Sequence, residues 1–451
     1  MNALEWRVAL SLAAVYAVRM LGLFMVLPVF ALKAEQLPGA TPLWIGVAIG
    51  IYGLTQATLQ IPLGIASDRF GRKPVILGGL LVFALGSLCA ALADSIWLMI
   101  AGRLLQGMGA IAAATMALAA DLTREAHRAR VMAFIGMSIG LSFMLAMILG
   151  PLLDAWAGLA GIFWVTLVLA LCGMVLVAFV VPTPPQYRAH RDAGILRDYV
   201  GKALRNPSLQ RLDFGVFCLH LIMTANFLVL PKLFQEQLGL ALAEHWRVYL
   251  PVFVGSFVCA LPLIILAEKY QLIKPLLLAS IALLALAEAV LAGGHYYTLP
   301  LLLAFLVFFI GFNFLEAVQP SLVAKYAAVE AKGTAMGVYT SAQFLGIFVG
   351  GLAGGLLQQH SGIMGVFIFS TLISLIWLLV ARQLPKPRFH SSRVLRLKQA
   401  PTNWQTLQQD LLAISGVHEV ALVPQEQVAY LKVDRQQLDH EALRAFSETS
   451  A

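Results

Sequence analysis

A few ionisable side chains lie inside long apolar stretches of this sequence. Arg19, Arg103 and Glu316 each have mostly hydrophobic neighbours on both sides. A charge at the centre of a bilayer costs roughly 2.5 kcal/mol or more, so each group must face protein or water. A buried carboxylate can exchange a proton, and a buried arginine can hold an opposite charge. Glu316 and Arg19 are therefore candidates for proton coupling.

Further polar side chains in these stretches could line a solvated cavity. A buried carboxylate favours its protonated form, and Glu316, the deepest carboxylate by position, is the preferred proton site. Arg19 either binds an anionic group of a substrate or pairs with Glu316. Glu288 is expected to reach interfacial water, and His220 is expected to be neutral and hydrogen bonded. The cavity candidates are Gln56, Gln60, His220, Asn226, Asn313 and Gln343.

The elements that position these groups are predicted to be membrane-spanning helices. Of the 451 residues, 60% are hydrophobic and only 12% are charged, whereas a soluble protein has about 25% charged residues. This composition excludes an ordinary soluble enzyme and a disordered chain. Apolar stretches of about 20 residues cross a bilayer. Twelve occur, at 6–32, 43–66, 74–93, 96–120, 130–153, 160–181, 211–235, 246–267, 273–292, 299–322, 334–357 and 363–382.

Cofactor and metal motifs are not evident in the sequence. The 4 cysteines form no CxxC pair and are expected to be buried hydrophobic residues rather than metal ligands. The absence of a phosphate-binding GxxxxGK[ST] loop argues against an ATP-driven pump. We therefore expect neither an enzyme nor a cofactor, and the proton gradient is the expected energy source.

Lys and Arg concentrate in the loops on one side of the predicted spans. That side includes Arg72, Arg124, Arg188, Arg191 and Lys332, whereas the other side has only Lys33, Lys232 and Arg247. By the positive-inside rule, both termini lie in the cytoplasm. This asymmetry accounts for the net charge of +8 without a nucleic-acid partner.

The spans divide into two groups of six, followed by a polar tail. The predicted divisions are a first bundle at 1–181, a linker at 182–210, a second bundle at 211–382, a linker at 383–392 and a tail domain at 393–451. Traces of duplication support the division. Ser67-Asp68-Arg69-Phe70 resembles Ala267-Glu268-Lys269-Tyr270, and an offset of 204 residues pairs Met132 with Met336 and Gly150 with Gly354.

The clearest motif lies in the loop between spans two and three. It reads Gly64-Ile65-Ala66-Ser67-Asp68-Arg69-Phe70-Gly71-Arg72-Lys73-Pro74. Gly64 allows close helix approach, Gly71 permits a tight turn, and Pro74 suits the first turn of a helix. A basic topogenic turn would explain the Arg and Lys residues but not the Gly, Asp and Pro positions.

This motif resembles the loop signature of the major facilitator superfamily. The resemblance implies a fold of 12 transmembrane helices in two pseudo-symmetric bundles. It also implies that Gly64, Asp68, Arg69, Gly71 and Arg72 form a conformational latch with Asp121. Asp68 would face the start of span eleven near Gly333 and Thr334, while Arg72 pairs with Asp68 and Asp121.

Two further segments resemble motifs of the same family. Arg103-Leu104-Leu105-Gln106-Gly107 is similar to a motif whose arginine is implicated in proton coupling; a structural arginine bonded to carbonyl groups is the alternative. Span five carries Gly140, Gly150 and Pro151, a partial match to the helix that is typical of antiporters. Simple helix packing explains these glycines equally well.

The tail reads as a small α+β domain. Its pattern predicts β-α-β-β-α, with strands at 394–397, 418–423 and 428–433 and a last helix at 438–446. This is a ferredoxin-like pattern without an obvious last strand, and fewer than 60 residues give it a marginal core. The combination resembles drug/proton antiporters of the family that carry such a domain. The tail could regulate, self-associate or merely stabilise.

The expected function is proton-driven export of small molecules by alternating access, in contact with the lipid bilayer. Two alternatives remain open. One is a proton-coupled symporter of a metabolite. The other is a transporter-like sensor that signals through the tail.

Overall fold

Helices that continue through the predicted spans make up most of the structure. The computed structural model describes residues 1–183, 197–328, 331–385, 391–397, 403–423, 428–434 and 437–446. Arg188 and Arg191 of the predicted linker lie outside these ranges. The helices of the first half are α1 (Ala3–Phe24), α2 (Leu27–Ala34), α3 (Pro42–Phe70), α4 (Arg72–Ala91), α5 (Ile96–Met108), α6 (Ala112–Asp121) and α7 (Glu125–Val175). The later ones are α8 (Arg197–Arg205), α9 (Pro207–Leu238), α10 (Trp246–Lys269), α11 (Ile273–Gly294), α12 (Thr298–Tyr326) and α13 (Lys332–Arg382).

Two predicted spans are interrupted near the polar residues they carry. Span one divides into α1 and α2, and Pro28 lies in the first turn of α2. Span four ends its first helix at Met108 and resumes at Ala112. A helix end leaves carbonyl groups without intrahelical donors, and the Gly109 carbonyl oxygen accepts a hydrogen bond from Arg19 at 3.1 Å. The breaks therefore create polar groups in the interior that a continuous helix would not expose.

Two helices are each long enough for two membrane crossings. Among the described residues, ten helical segments are long and apolar enough to cross a membrane. Helices α7 and α13 each contain 51 residues, about 75 Å if straight, against a hydrocarbon core of about 30 Å. Each is interrupted by a glycine with positive φ, Gly158 at 67° and Gly362 at 68°. These glycines are 204 residues apart, the offset of the sequence repeat.

The two halves of the chain share one hydrophobic core on the side opposite the termini, here called the outer side. The larger cluster of buried residues joins Met25, Phe30 and Ile49 of the first half to Phe227 and Phe305 of the second. A separate cluster fills the cytoplasmic part of the first half. The halves are therefore packed together on the outer side. The aromatic rings in this outer core include Phe143, Phe227, Phe253, Phe308, Phe309 and Phe312.

Helices α3 and α13 make the closest contact between the halves. A Cβ added to Gly46 would collide with the carbonyl oxygen of Gly351, and one added to Gly53 with that of Phe344. The same collision with main-chain atoms occurs in reverse at Gly351 against Gly46. Small residues of this kind let membrane helices approach closely. This glycine contact is what closes the outer side along α3.

The cysteine prediction is wrong for two of the four residues. Cys218 is buried, but Cys172 and Cys259 are exposed and Cys89 is half-buried. All four are free thiols. The exposed pair lies on α7 and α10, within apolar membrane segments, so lipid rather than protein surrounds these side chains.

The tail folds as a small α+β unit in the predicted element order. Its strands and helices are β1 (Ser391–Arg396), α14 (Trp404–Ala413), β2 (Val417–Val423), β3 (Val428–Val433) and α15 (His440–Arg444). The sheet has the order β1-β3-β2, and both pairings are antiparallel. A helical crossover between β1 and β2, with β3 between them, is a split β-α-β arrangement. Lys432 connects the tail to the membrane part by donating to the Ala327 carbonyl oxygen at 3.0 Å.

We predict that Gly46→Val opens the outer side. The added side chain would overpack the contact with Gly351, at a cost of about 1–3 kcal/mol. Such a cost shifts a two-state equilibrium about fivefold or more, because ~1.4 kcal/mol corresponds to a factor of ten. We expect a cysteine placed at the buried residue Phe30 to react correspondingly faster with an impermeant maleimide applied from outside. The background protein would lack the four native cysteines.

Gly140→Val is the matched control, because a Cβ at Gly140 meets nothing within 4 Å. Equal labelling rates in the two valine variants and the parent protein would contradict the proposed role of the glycine contact.

Candidate functional site

The loop between α3 and α4 holds an ion-paired cluster at the cytoplasmic end. Helix α3 ends at Phe70, Gly71 takes φ 104°, and α4 begins at once with Arg72. The positive φ is costly for any residue with a side chain. It turns the chain so that the buried Arg72 lies between two carboxylates.

Both predicted ion pairs of Arg72 are present. Its Nε lies 3.0 Å from Asp121 Oδ2, and its Nη1 pairs with Asp68 Oδ1. Nη1 also donates to Ser67 Oγ at 2.6 Å, and Ser67 in turn donates to the Gly64 carbonyl oxygen at 2.7 Å. Arg69 is exposed and contacts the Phe70 ring. The guanidinium fork thus ties the ends of α3, α4 and α6 together.

Asp68 is engaged by Arg72 in this structure. Its expected approach to Gly333 and Thr334 at the start of α13 stays a prediction. The halves are packed together on the outer side, whereas a latch of this kind would act in the opposite state.

The second half contains a degenerate counterpart of this cluster. Glu268, which matches Asp68 in the repeat, accepts from Lys325 at 3.0 Å. Lys325 is 204 residues after Asp121, so a cation replaces the second carboxylate at the equivalent position. The Glu268 side chain is 48% exposed, and exposed pairs contribute little to stability. The counterpart therefore has one direct ion pair in place of a buried arginine between two carboxylates.

Arg19 and Arg103 lie on either side of Tyr52 in the interior of the first half. Arg19 Nη2 donates to Tyr52 Oη at 3.1 Å, and the Arg103 guanidinium is 5.2 Å from the Tyr52 ring centre. Arg103 Nη1 donates to Gln106 Oε1 at 2.8 Å, and Gln106 donates to Ser87 at 2.8 Å. The expected pairing of Arg19 with Glu316 is wrong, because Arg19 faces Tyr52 and Gly109 instead.

Two of the predicted cavity residues, Gln56 and Gln60, lie on the same face of α3 as Tyr52. Gln56 donates to Tyr52 Oη at 2.7 Å. Gln56 and Gln60 are buried, and the side-chain oxygen of each lacks a hydrogen-bond donor in the described structure. Tyr52, Gln56 and Gln60 follow at intervals of four residues, which places them on one helix face.

Glu316 forms a second polar group in the other half, with His220 and Gln343. Its carboxylate lies 3.8 Å from His220 Nε2, which is 2.8 Å from Gln343 Nε2. His220 Nδ1 is 3.1 Å from the Val216 carbonyl oxygen, which can only accept, so Nδ1 carries a proton. The prediction that Glu316 is the deepest carboxylate is wrong, because its side chain is 41% exposed.

Glu288 is a buried carboxylate, although the sequence predicted that it would reach interfacial water. It is 0% exposed rather than in contact with interfacial water. Asn226 donates to Glu288 Oε1 at 2.7 Å, whereas Glu288 Oε2 and Asn226 Oδ1 lack partners among the described residues. The other predicted amide, Asn313, is half-buried and donates to Ser256 Oγ at 3.0 Å.

The glycines of α7 divide into two groups. A Cβ at Gly150 would collide with the Met25 carbonyl oxygen, so this glycine packs against the break between α1 and α2. Gly140 has open space beside it, and Pro151 lies inside α7, two turns before Gly158. The predicted smooth packing face is therefore present only in its outer part.

Tyr52 is a functional-site residue that the sequence did not predict, and it contacts several of the predicted residues. Tyr52 connects Arg19, Arg103 and Gln56, and it contacts Phe344 of the second half with ring centres 6.2 Å apart. The sequence did contain a signal for it: Tyr52 precedes Gln56 by four residues, which places the two side chains on the same helix face. Within the part of the chain that the structure describes, no group of three or more His, Cys, Asp or Glu residues could hold a metal ion.

These features define a multi-span membrane transporter built from two related halves. The chain belongs to the Major Facilitator Superfamily, whose family model matches residues 12–243 and 212–420. It is similar to the inner membrane transport protein YajR of Escherichia coli strain K12. The two are 43% identical over 430 residues, which cover 95% of this chain and 94% of YajR. The protein is accordingly a multi-pass transporter of the inner membrane.

More distant similarities agree with this assignment. The multidrug resistance protein MdtH of Aeromonas salmonicida is 26% identical, over 76% of this chain and 86% of MdtH. A solved structure titled as a bacterial homolog of the human lysosomal transporter Spinster, inward-facing and occupied, has a TM-score of 0.68 at 12% identity. The match covers 86% of this chain and 98% of that one. This likeness concerns the fold.

We predict that Arg72→Ala destabilises the protein by about 3 kcal/mol, the typical cost of removing one partner of a buried ion pair. The change leaves Asp68 and Asp121 without the cation between them. Thermal unfolding of the purified protein in detergent measures the effect. Arg69→Ala, in the same loop but exposed, is the control and should unfold at nearly the parent temperature. A similar loss in both variants would refute the pairing as the cause.

We predict opposite effects for two substitutions of Glu288. Glu288→Ala removes the acceptor of Asn226 Nδ2, which costs about 1–3 kcal/mol. Glu288→Gln keeps that acceptor and adds an amide donor next to the unpartnered Asn226 Oδ1. The glutamine variant should therefore be at least as stable as the parent in thermal unfolding. A glutamine variant that unfolds as early as the alanine variant would contradict this prediction.

Proposed function

We propose that the protein is a proton-coupled secondary transporter that exports small molecules by alternating access. In this proposal α7 and α13 each cross the membrane twice, with reversals at Gly158 and Gly362, so the chain makes twelve crossings. The small-molecule substrate crosses between the two halves. The energy comes from the proton gradient, and no cofactor takes part.

The environment of Glu316 carries this proposal. Its side chain is 41% exposed although it belongs to an apolar membrane helix, so a solvated space reaches it. One carboxylate oxygen has no hydrogen-bond partner among the described residues and lies near the His220 ring. A carboxylate that can reach both solvent and an imidazole can take up and release a proton.

Alternating access requires two states that differ in which side is closed. The outer core and the glycine contact of α3 with α13 stabilise the outside-closed state described above. The Arg72 cluster positions Asp68 at the cytoplasmic end, where in the opposite state it could approach the N-terminus of α13. A carboxylate is favoured there by the helix dipole. We propose that this contact is the latch of the outside-open state.

The tail is proposed to be a ferredoxin-like module that lacks a last strand. Its contact through Lys432 falls on Ala327, between α12 and α13, so it can respond to movement of the second half. Regulation and self-association are both compatible with this position. A sensor that signals through the tail is the second candidate function, and a metabolite symporter is the third.

We predict that Glu316→Gln abolishes export. Losing a proton-transfer group typically lowers a rate about 10²–10⁴-fold. Bacteria that lack their main efflux systems would express the parent, Glu316→Gln or Asp68→Asn at matched levels, and growth would be measured against a broad panel of compounds. We expect the parent to protect against some compounds, an uncoupler to remove this protection, and both variants to lose it.

Glu244→Gln is the control for loss of a carboxylate, because Glu244 lies outside the cavity in an exposed pair with Arg247. Protection that persists in Glu316→Gln would exclude this residue as the coupling site. Unchanged sensitivity of cells with the parent protein across the panel would favour a narrow metabolite carrier or a sensor.

A further inference from the structure

We propose that the Arg19–Tyr52 group binds an oxyanion, so that the transported molecules carry a carboxylate or phosphate group. This inference rests on the proposed transport function and names its substrate class. It starts from hydrogen-bond donors in the interior of the first half that have no acceptor.

Three donor groups lie at this site. Arg19 is 1% exposed. Its Nη2 donates to Tyr52 and Gly109, and its guanidinium carbon is 5.6 Å from the Phe83 ring centre. Its Nε and Nη1 have no hydrogen-bond partner in the described structure. Tyr52 Oη accepts from both Arg19 and Gln56, so its own proton remains available. An oxyanion is the ligand that a guanidinium fork and an adjacent hydroxyl donor match.

The charge around these donors is not balanced by the protein. Arg103 adds a second buried cation against the Tyr52 ring. The acidic side chains described in the first half lie near helix ends, at Glu5, Glu35, Asp68, Asp94, Asp121 and Asp154. Glu5 is about 20 Å from Arg19 along α1. An uncompensated buried charge costs several kcal/mol, and a bound anion would offset that cost.

In the described structure, two hydrogen-bond acceptors without donors lie on the same face of α3 as Tyr52, and they narrow the class of ligand. Gln56 Oε1 and Gln60 Oε1 are buried without donors among the described residues, one and two helical turns from Tyr52. They can accept from hydroxyl or amino groups. The ligand class is therefore a small organic anion that also carries hydrogen-bond donors.

The site is closed toward the outer side in this state. Phe344 of α13 lies against the Tyr52 ring, and a Cβ added to Gly53 would collide with the Phe344 carbonyl oxygen. Separation of α3 from α13 would remove Phe344 from Tyr52. Release of a bound anion to the outside is thus coupled to the movement that opens the outer side, as export requires.

The test measures binding of matched probes to the purified full-length protein. Benzoate and phenyl phosphate are the two oxyanion probes, and benzamide is the neutral counterpart of benzoate. Thermal unfolding would be followed at constant ionic strength while each probe is titrated. We expect a saturable rise of the unfolding temperature with at least one anion and none with benzamide. Comparing the two anions distinguishes a carboxylate site from a phosphate site.

Variants assign the effect to the site. We expect Arg19→Gln to weaken anion binding about tenfold or more, the equivalent of ~1.4 kcal/mol. Tyr52→Phe keeps the ring and removes one donor, so it should weaken anion binding less than Arg19→Gln does. It replaces Arg19→Gln as the test variant if Arg19→Gln does not fold. Arg247→Gln, which removes an exposed cation paired with Glu244, should bind as the parent does. Stabilisation by neither anion, equal stabilisation by benzamide, or undiminished binding in Arg19→Gln and Tyr52→Phe would overturn the proposal.

A flux measurement separates this inference from the proposed function. Protein in liposomes would be given an imposed proton gradient with benzoate or phenyl phosphate inside or outside. Arg19-dependent binding without gradient-driven flux would leave the oxyanion site standing and remove proton coupling. Gradient-driven protection against neutral or cationic compounds, with no anion binding, would remove the oxyanion site and leave the transporter.

Discussion

A charged side chain in the hydrocarbon layer must be paired, hydrogen bonded or solvated, and this constraint organises the whole interior. Each half meets it differently. In the first half, the break between α5 and α6 supplies the Gly109 carbonyl group to Arg19, and Gln106 supplies an oxygen to Arg103. In the second half, Glu316 is partly exposed, while Asn226 donates a hydrogen bond to the buried Glu288. The membrane part of the first half thus holds buried cations, and that of the second half holds carboxylates.

The main-chain contacts between α3 and α13 determine how the two halves can move relative to each other. Opposed glycines bring α3 and α13 together without interlocking side chains. This surface can separate without rotamer changes at the glycines. The aromatic rings around Phe143 close the rest of the outer side by packing that is largely non-directional. Polar contacts between the halves include the Leu43 N–H, which donates to Gln359 Oε1 at 3.4 Å, and the exposed pair of Lys232 with Glu35 at 3.8 Å. Apolar packing is therefore the main interaction that must be broken when the outer side opens.

The sequence determined the helices well because hydrophobic length is a direct consequence of bilayer thickness. The resemblance of the loop motif to the family signature likewise predicted the partners of Arg72, Asp68 and Asp121. Burial within the membrane could not be predicted in the same way. Glu288 was expected at the interface and Glu316 in the deepest position, because position along a helix does not reveal which face meets protein. Tyr52 was not predicted as a site residue, because an uncharged tyrosine in an apolar stretch is compatible with ordinary helix packing.

The reversals at Gly158 and Gly362 bear on how the protein is made. In the proposed twelve-crossing arrangement, the two helices joined at each glycine have almost no chain between them outside the membrane. There is then no separate loop for the insertion machinery to translocate. Each pair must enter the bilayer together as a preformed hairpin, and each glycine, with its positive φ, is a position where a side chain would disturb biogenesis before it could affect transport.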